Sequence, residues 1–267
     1  MIHLAKRNIR IFFRDRARVF FSCLSILIVI GIYFLFLGNA LQTDQTPASM
    51  VDAWMIAGIM AISPLTVSVG TLGSMVYDRH TKIFRDFYIS PLKRREIVCS
   101  YILSTVFICF TISLIGFGAM QIFVGGFATA TEYLMVLGLI VLTSLASTAI
   151  MLFIASLFKS YNAYGAVTSV VGVLTGFLAG AFMPIGNFPA GVRFIVFLFP
   201  ISHAAALFRQ VIVPGVNHIP AEYQTHLGIH LSFGGSVVEP WVNIAVLVGT
   251  LVVFSALAVW SVSKKEN

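Results

Sequence analysis

The chain has 267 residues, 58% hydrophobic and only 10% charged, whereas water-soluble domains are nearer half apolar and a quarter charged. Polar surface is too scarce to coat a soluble globule, so the composition indicates a membrane protein. The excess of 17 Lys and Arg over 10 Asp and Glu would suit nucleic acid only on the basic face of a soluble domain, and no such domain is available.

In chain order, residues 1–18 form the first predicted element, an amphipathic interfacial helix. At 100° per residue Ile2, Ala5, Ile9, Phe12 and Phe13 share one face and Lys6, Arg7, Arg10, Arg14 and Arg18 the adjoining one. Leu4 and Ile11 fall off the apolar stripe and Arg16 falls on it; the alternative is a basic arm that only sets topology. Crossing a bilayer takes roughly 20 mostly apolar helical residues. Six stretches qualify, 19–41, 54–77, 97–127, 133–158, 163–183 and 241–262, and none holds a Lys, Arg, Asp or Glu. The first is too long for a signal-peptide core and is expected to stay as an anchor. The expected organisation is all-α: the interfacial helix, a six-span unit over 19–262 and a tail over 263–267.

Basic residues near span ends stay in the cytoplasm. The N-terminal arm holds six, the second connection six (Arg79, Lys82, Arg85, Lys93, Arg94 and Arg95), the fourth Lys159 and the tail Lys264 and Lys265. The other side has only Arg193 and Arg209, so both termini are expected to be cytoplasmic.

The second connection, 78–96, carries Phe84, Phe87, Tyr88, Ile89 and Leu92 interleaved with Arg, and Ser90-Pro91 reads as the start of a short helix. Aromatic residues among Arg suit a docking site for a cytoplasmic partner; the alternative is a juxtamembrane segment whose aromatics sit at the lipid interface. Within the spans, Ser63, Thr66, Gly70 and Ser74 follow helical spacing beside Pro64, and Gly165, Ser169, Gly172, Gly176 and Gly180 form a small-residue face. Such faces serve tight packing inside one subunit, a substrate route or contact with a second copy. In the fifth connection, 184–240, the apolar run 194–208 is too short to cross comfortably and is interrupted by Pro200, so a bent re-entrant helix pair is expected in the outer leaflet. The part from 214 to 235 is polar enough for an exposed extracellular loop.

Cys23, Cys99 and Cys109 lie in or beside apolar segments and suit packing. No phosphate loop and no nucleophile elbow is present, so no catalytic residue is assigned. His218, His226 and His230 read as solvated rather than metal-binding, and His203 as a satisfied structural histidine. Ion-coupled carriers place an acid or base at membrane depth, and these spans offer none. Energy then comes from outside the chain, or the protein is a passive pore, a membrane enzyme or an anchoring subunit.

Two stretches carry a family resemblance: Asp78-Arg79 leading through an amphipathic run to Ser90-Pro91, and Gly180 through Pro184 and Pro189 to Phe199-Pro200-Ile-Ser-His203 and Arg209. Together with span number and loop proportions they resemble the membrane subunit of an ABC-2 type exporter; where members often have Gly-Thr, this chain has His80-Thr81. The resemblance implies two permease subunits, identical or homologous, in the bilayer of a bacterial plasma membrane, bound to separate ATPase subunits that carry ATP and Mg, with no cofactor in this chain. It implies coupling through Asp78, Arg79, Phe84, Arg85, Asp86, Phe87, Tyr88 and Pro91. The second and fifth spans would lie near the subunit interface. The cargo would be an amphipathic drug, antimicrobial peptide or lipid-like molecule moved outward, with glycan export as a related possibility.

Overall fold

A computed structural model describes residues 1–17, 19, 20, 22, 24, 31, 48–83, 87, 94–124, 129–213, 220–233 and 236–264. The expected first span, 19–41, lies almost wholly outside the described residues, as do Phe84, Arg85, Asp86, Tyr88, Pro91 and His218.

Helix α1 (Ile2–Arg14) buries Ala5, Asn8 and Phe12. Its apolar face meets protein: Phe12 packs with Val67, Ile108, Cys109 and Ile112, while Ile2 and Phe13 at the face's edges stay exposed. The expected second span extends at both ends into α2 (Ala48–His80), which runs through Pro64 without ending. Proline removes the hydrogen bond to the Met60 carbonyl one turn earlier, yet the helix continues, and the Cys109 thiol donates to the Pro64 carbonyl itself at 3.3 Å. Helices α3 (Arg94–Val124) and α4 (Ala130–Leu157) follow, the second opened by Glu132 reaching back to the Thr129 N–H.

Helix α5 (Tyr161–Leu178) is shorter than the expected span 163–183. At about 1.5 Å per residue it is roughly 27 Å long. It ends in a Schellman turn, with the Ala181 N–H on the Gly176 carbonyl and the Gly180 N–H on that of Phe177, and Gly180 at φ +67°. Pro184 then opens a 3₁₀ turn (Ile185–Asn187), and Pro189 precedes α6 (Ala190–Leu198). Pro200 is the first residue of α7 (Pro200–Ile212), which leaves α6 at 87°. Proline suits a helix start because its missing N–H would be unpaired there anyway, so the bend falls where the sequence puts it.

Helix α8 (Ala221–His226) closes with a second Schellman turn, Ile229 N–H to Gln224 carbonyl and Gly228 N–H to Thr225, Gly228 at φ +68°. A small antiparallel hairpin, β1 (Ser232–Phe233) and β2 (Ser236–Val237), leads to α9 (Pro240–Lys264). The segment after α8 is not the exposed loop expected: Leu227, Ile229 and Leu231 are buried. The Gly228 turn folds these alternating apolar residues back onto the bundle.

Among the described residues four helices, α2, α3, α4 and α9, are long and apolar enough to cross a bilayer, and the bent α6–α7 pair makes a fifth if it counts as one span. Helix α2 is central, 78% buried in its apolar stretch, against 22% for α9. The outer faces of α3, α4, α5 and α9 expose residues such as Phe107, Leu134, Val170 and Val252, a surface that a bilayer solvates and water does not.

Candidate functional site

At the end of the bundle that carries α1, three elements converge on one carboxylate. Asp78, on the last turn of α2, is nearly inaccessible. Its Oδ2 accepts from the Tyr101 hydroxyl at 2.6 Å and from Arg7 Nη1 at 3.1 Å. Arg7 also donates to Asn8 Oδ1 at 3.0 Å, and its guanidinium lies 5.3 Å from the centre of the Phe87 ring. A buried carboxylate is costly unless paired and hydrogen-bonded, and here α1 supplies the cation and α3 the hydroxyl. Phe87, expected to be an outward anchor, is half-buried and packs against the main core beneath Arg7. Arg79, next to Asp78 in sequence, is half-buried. The acidic-Arg start was legible in the sequence; Arg7 and Tyr101 as partners were not.

The small-residue stripes differ in how far they are covered. On α2, Ser63 is buried, whereas Thr66, Gly70 and Ser74 are half-open; Thr66 and Ser74 donate to the Ile62 and Thr71 carbonyls of their own helix. Helix α5 buries Tyr164, Thr168, Thr175 and, of its small-residue face, Gly176. Tyr164 donates to the Val69 carbonyl of α2 at 2.9 Å, and Gly73 admits the Tyr164 ring. The opposite part of the glycine face is uncovered: a side chain at Gly165 or Gly172 would meet nothing within 4 Å, and Ser169 is exposed. Gly176, by contrast, lies under the Phe182 ring, and Gly180 serves the turn that ends the helix.

The other end of α2 holds a buried cation. Arg209, fully buried on α7, donates to the carbonyls of Ala179 (3.1 Å), Gly180 (2.7 Å) and Gly228 (3.2 Å). Those carbonyls sit at the two Schellman turns, where helix C-termini present unpaired oxygens and partial negative charge. Among the described residues no carboxylate pairs with Arg209. Its guanidinium stacks 4.8 Å from the Trp54 ring centre, and Trp54 Nε1 donates to the Leu227 carbonyl at 2.6 Å. One side chain therefore joins α5, the turn after α8, α7 and α2. Trp54 and Gly228 carry no flag in the sequence; a glycine two residues after a short helix is the one signal that could have pointed to them.

His203 is also buried. Its Nε2 meets the Phe197 carbonyl and its Nδ1 the Asn243 side chain, each at 2.7 Å. A carbonyl only accepts, so Nε2 carries the proton. The ring's Nδ1 lies against the Asn243 side-chain oxygen of α9. The residue ties α6, α7 and α9 together.

The described residues thus form a helical bundle with an amphipathic first helix, a bent pair before α9 and a buried acid at the end of α2. The family model described as ABC-2 family transporter protein matches residues 43–260, more than four fifths of the chain. The chain belongs to the ABC-2 transporter family. None of the curated proteins matches it. As an ABC-2 family member with several apolar helices it is a multi-pass membrane protein. The family consists generally of membrane transport subunits rather than enzymes, and generally works with an ABC ATPase.

Proposed function

We propose that the chain is the permease subunit of an ATP-driven exporter, moving an amphipathic drug, antimicrobial peptide or lipid-like molecule outward while a separate ABC ATPase binds and hydrolyses ATP with Mg. The six spans are α2, α3, α4, α5, α9 and the stretch 19–41; the basic residues at the α1 end put both termini in the cytoplasm. The bent α6–α7 pair dips into the outer leaflet. A second copy or a homologue faces the uncovered Gly165–Ser169–Gly172 side of α5, and the half-open residues of α2 border the route between subunits.

The observation that carries this reading is the Asp78 junction, because it fastens the start of the coupling segment to both α1 and α3. Force applied by an ATPase to residues 79–91 then reaches α2 directly. From Asp78 to Trp54, α2 spans about 36 Å at 1.5 Å per residue, and at Trp54 it meets the Arg209 junction of the bent pair. Pro64 lies between the two, where a helix bends most readily.

The test is co-purification with the ATPase and substrate-stimulated ATP hydrolysis at matched membrane levels. Replacing Phe84 and Tyr88 by Ala is expected to weaken the partner by about 2 kcal/mol, roughly thirty-fold, and Lys93→Ala far less, whereas Phe87→Ala also loosens the contact beneath Arg7 and so is read together with stability. Full coupling after replacing Phe84, Phe87 and Tyr88 together would overturn the assignment.

A further inference from the structure

We propose that the cavity between α6, α8 and the hairpin binds the zwitterionic headgroup of an outer-leaflet aminophospholipid, with Arg193 on the phosphate and Glu222 on the ammonium. The inference rests on the outer-leaflet placement of the bent pair. The cavity measures about 380 Å³, within the range of small-molecule sites, about 300–1,000 Å³.

Its charges point to a zwitterion. Arg193 and Glu222 line the same space yet form no ion pair, and among the described residues neither side chain has another charged partner. Opposite charges held apart in one cavity are matched by a ligand carrying both. Helix α6 sorts its residues to suit a lipid. Arg193, Val196 and Phe197 share the cavity face, one turn apart, whereas Phe194, Ile195 and Leu198 are exposed on the other. A headgroup inside would leave its acyl chains beside that apolar face. The imidazoles of His226 and His230 complete the polar wall. Gly186 admits the His226 ring, and any side chain there would displace it. Burial pushes the His230 imidazole down, with Glu239 opposing, so at neutral pH it adds hydrogen-bonding capacity without repelling an ammonium group.

The full chain in detergent micelles, without ATPase, is titrated with dihexanoyl phosphatidylethanolamine, dihexanoyl phosphatidylglycerol and water-soluble glycerophosphoethanolamine, and binding is read by native mass spectrometry. Phosphatidylethanolamine should bind at least tenfold tighter than phosphatidylglycerol. Glu222→Gln should abolish that preference, and Arg193→Gln should weaken phosphatidylethanolamine tenfold or more. Both side chains are exposed, so the fold should survive either change. Equal affinity for the two lipids, or indifference to both substitutions, overturns the proposal. Equal binding of glycerophosphoethanolamine overturns the lipid source and leaves a site for a soluble zwitterion. Because no ATPase is present, failure of the exporter reading does not alter these outcomes; labelling of Leu198→Cys from the lipid phase tests the leaflet placement separately.

Discussion

Tyr101→Phe removes the shorter of the two hydrogen bonds to Asp78 Oδ2 and leaves the ring in place. A hydrogen bond to a charged group contributes about 1.5–3 kcal/mol, and this one lies in a buried setting. The Arg7 pair carries the formal charge, but the Arg7 side chain is 32% exposed against 8% for Asp78. Solvent screening therefore limits it to about 1 kcal/mol. Tyr101→Phe should cost more than Arg7→Met, the reverse of what counting charges suggests. Since both donors share one oxygen, the double variant leaves a buried carboxylate with neither, and its cost should exceed the sum of the singles by roughly 0.5–3 kcal/mol. Denaturant titration in micelles gives the three values, and amide exchange in α1 reports whether that helix detaches. Additive effects, or Arg7→Met as the costlier single change, would refute the shared-acceptor argument.

Arg209→Met should be among the most damaging substitutions, on the order of 3 kcal/mol or more, because it leaves the Ala179, Gly180 and Gly228 carbonyls unpaired in the interior; thermal unfolding should show Arg209→Lys only partly restoring stability, as one ammonium lacks the fork. Gly228→Ala combines the left-handed φ, about 1–2 kcal/mol, with a contact to Ile185 Cδ1 at 2.5 Å, while Gly172→Ala meets nothing within 4 Å and should be nearly neutral or slightly stabilising in the same assay. The folded state lowers the His230 pKa by burial, so it favours the neutral ring; stability should be full above the ordinary value, about 6.5, and fall as pH drops through it, and His230→Gln should flatten the melting-temperature profile between pH 8 and 5.5.

Much of the architecture is written in short-range pattern. Runs without a charge mark the long helices because backbone groups in lipid are satisfied only within a helix, and Pro200 marks the 87° bend because proline starts helices well and continues them badly. What escapes the sequence are pairings across great chain distance. Nothing local tells that Arg7 reaches Asp78, 71 positions on, or that Trp54 reaches the Leu227 carbonyl 173 positions on. The expected extracellular loop fails for a related reason: its polar residues are obvious, but Leu227, Ile229 and Leu231 are buried by a turn that only Gly228 permits.

The stripe on α2 shows how the same limit bears on mechanism. Helical spacing groups Ser63 with Thr66, Gly70 and Ser74, and the structure buries the first while leaving the others half-open. The boundary between them falls at Pro64. On one side α2 is held by Trp54 under Arg209, and on the other by Tyr164 on the Val69 carbonyl and by Asp78 between Arg7 and Tyr101. A helix anchored at both ends and lacking one internal hydrogen bond in between concentrates any bending at that point. Pro64→Ala should then preserve both junctions, since neither uses the proline, while stiffening the rod that joins them. Under the exporter reading, ATP hydrolysis would persist and substrate transport per ATP would fall; unchanged transport per ATP in Pro64→Ala would remove α2 bending from the mechanism and leave it a rigid lever.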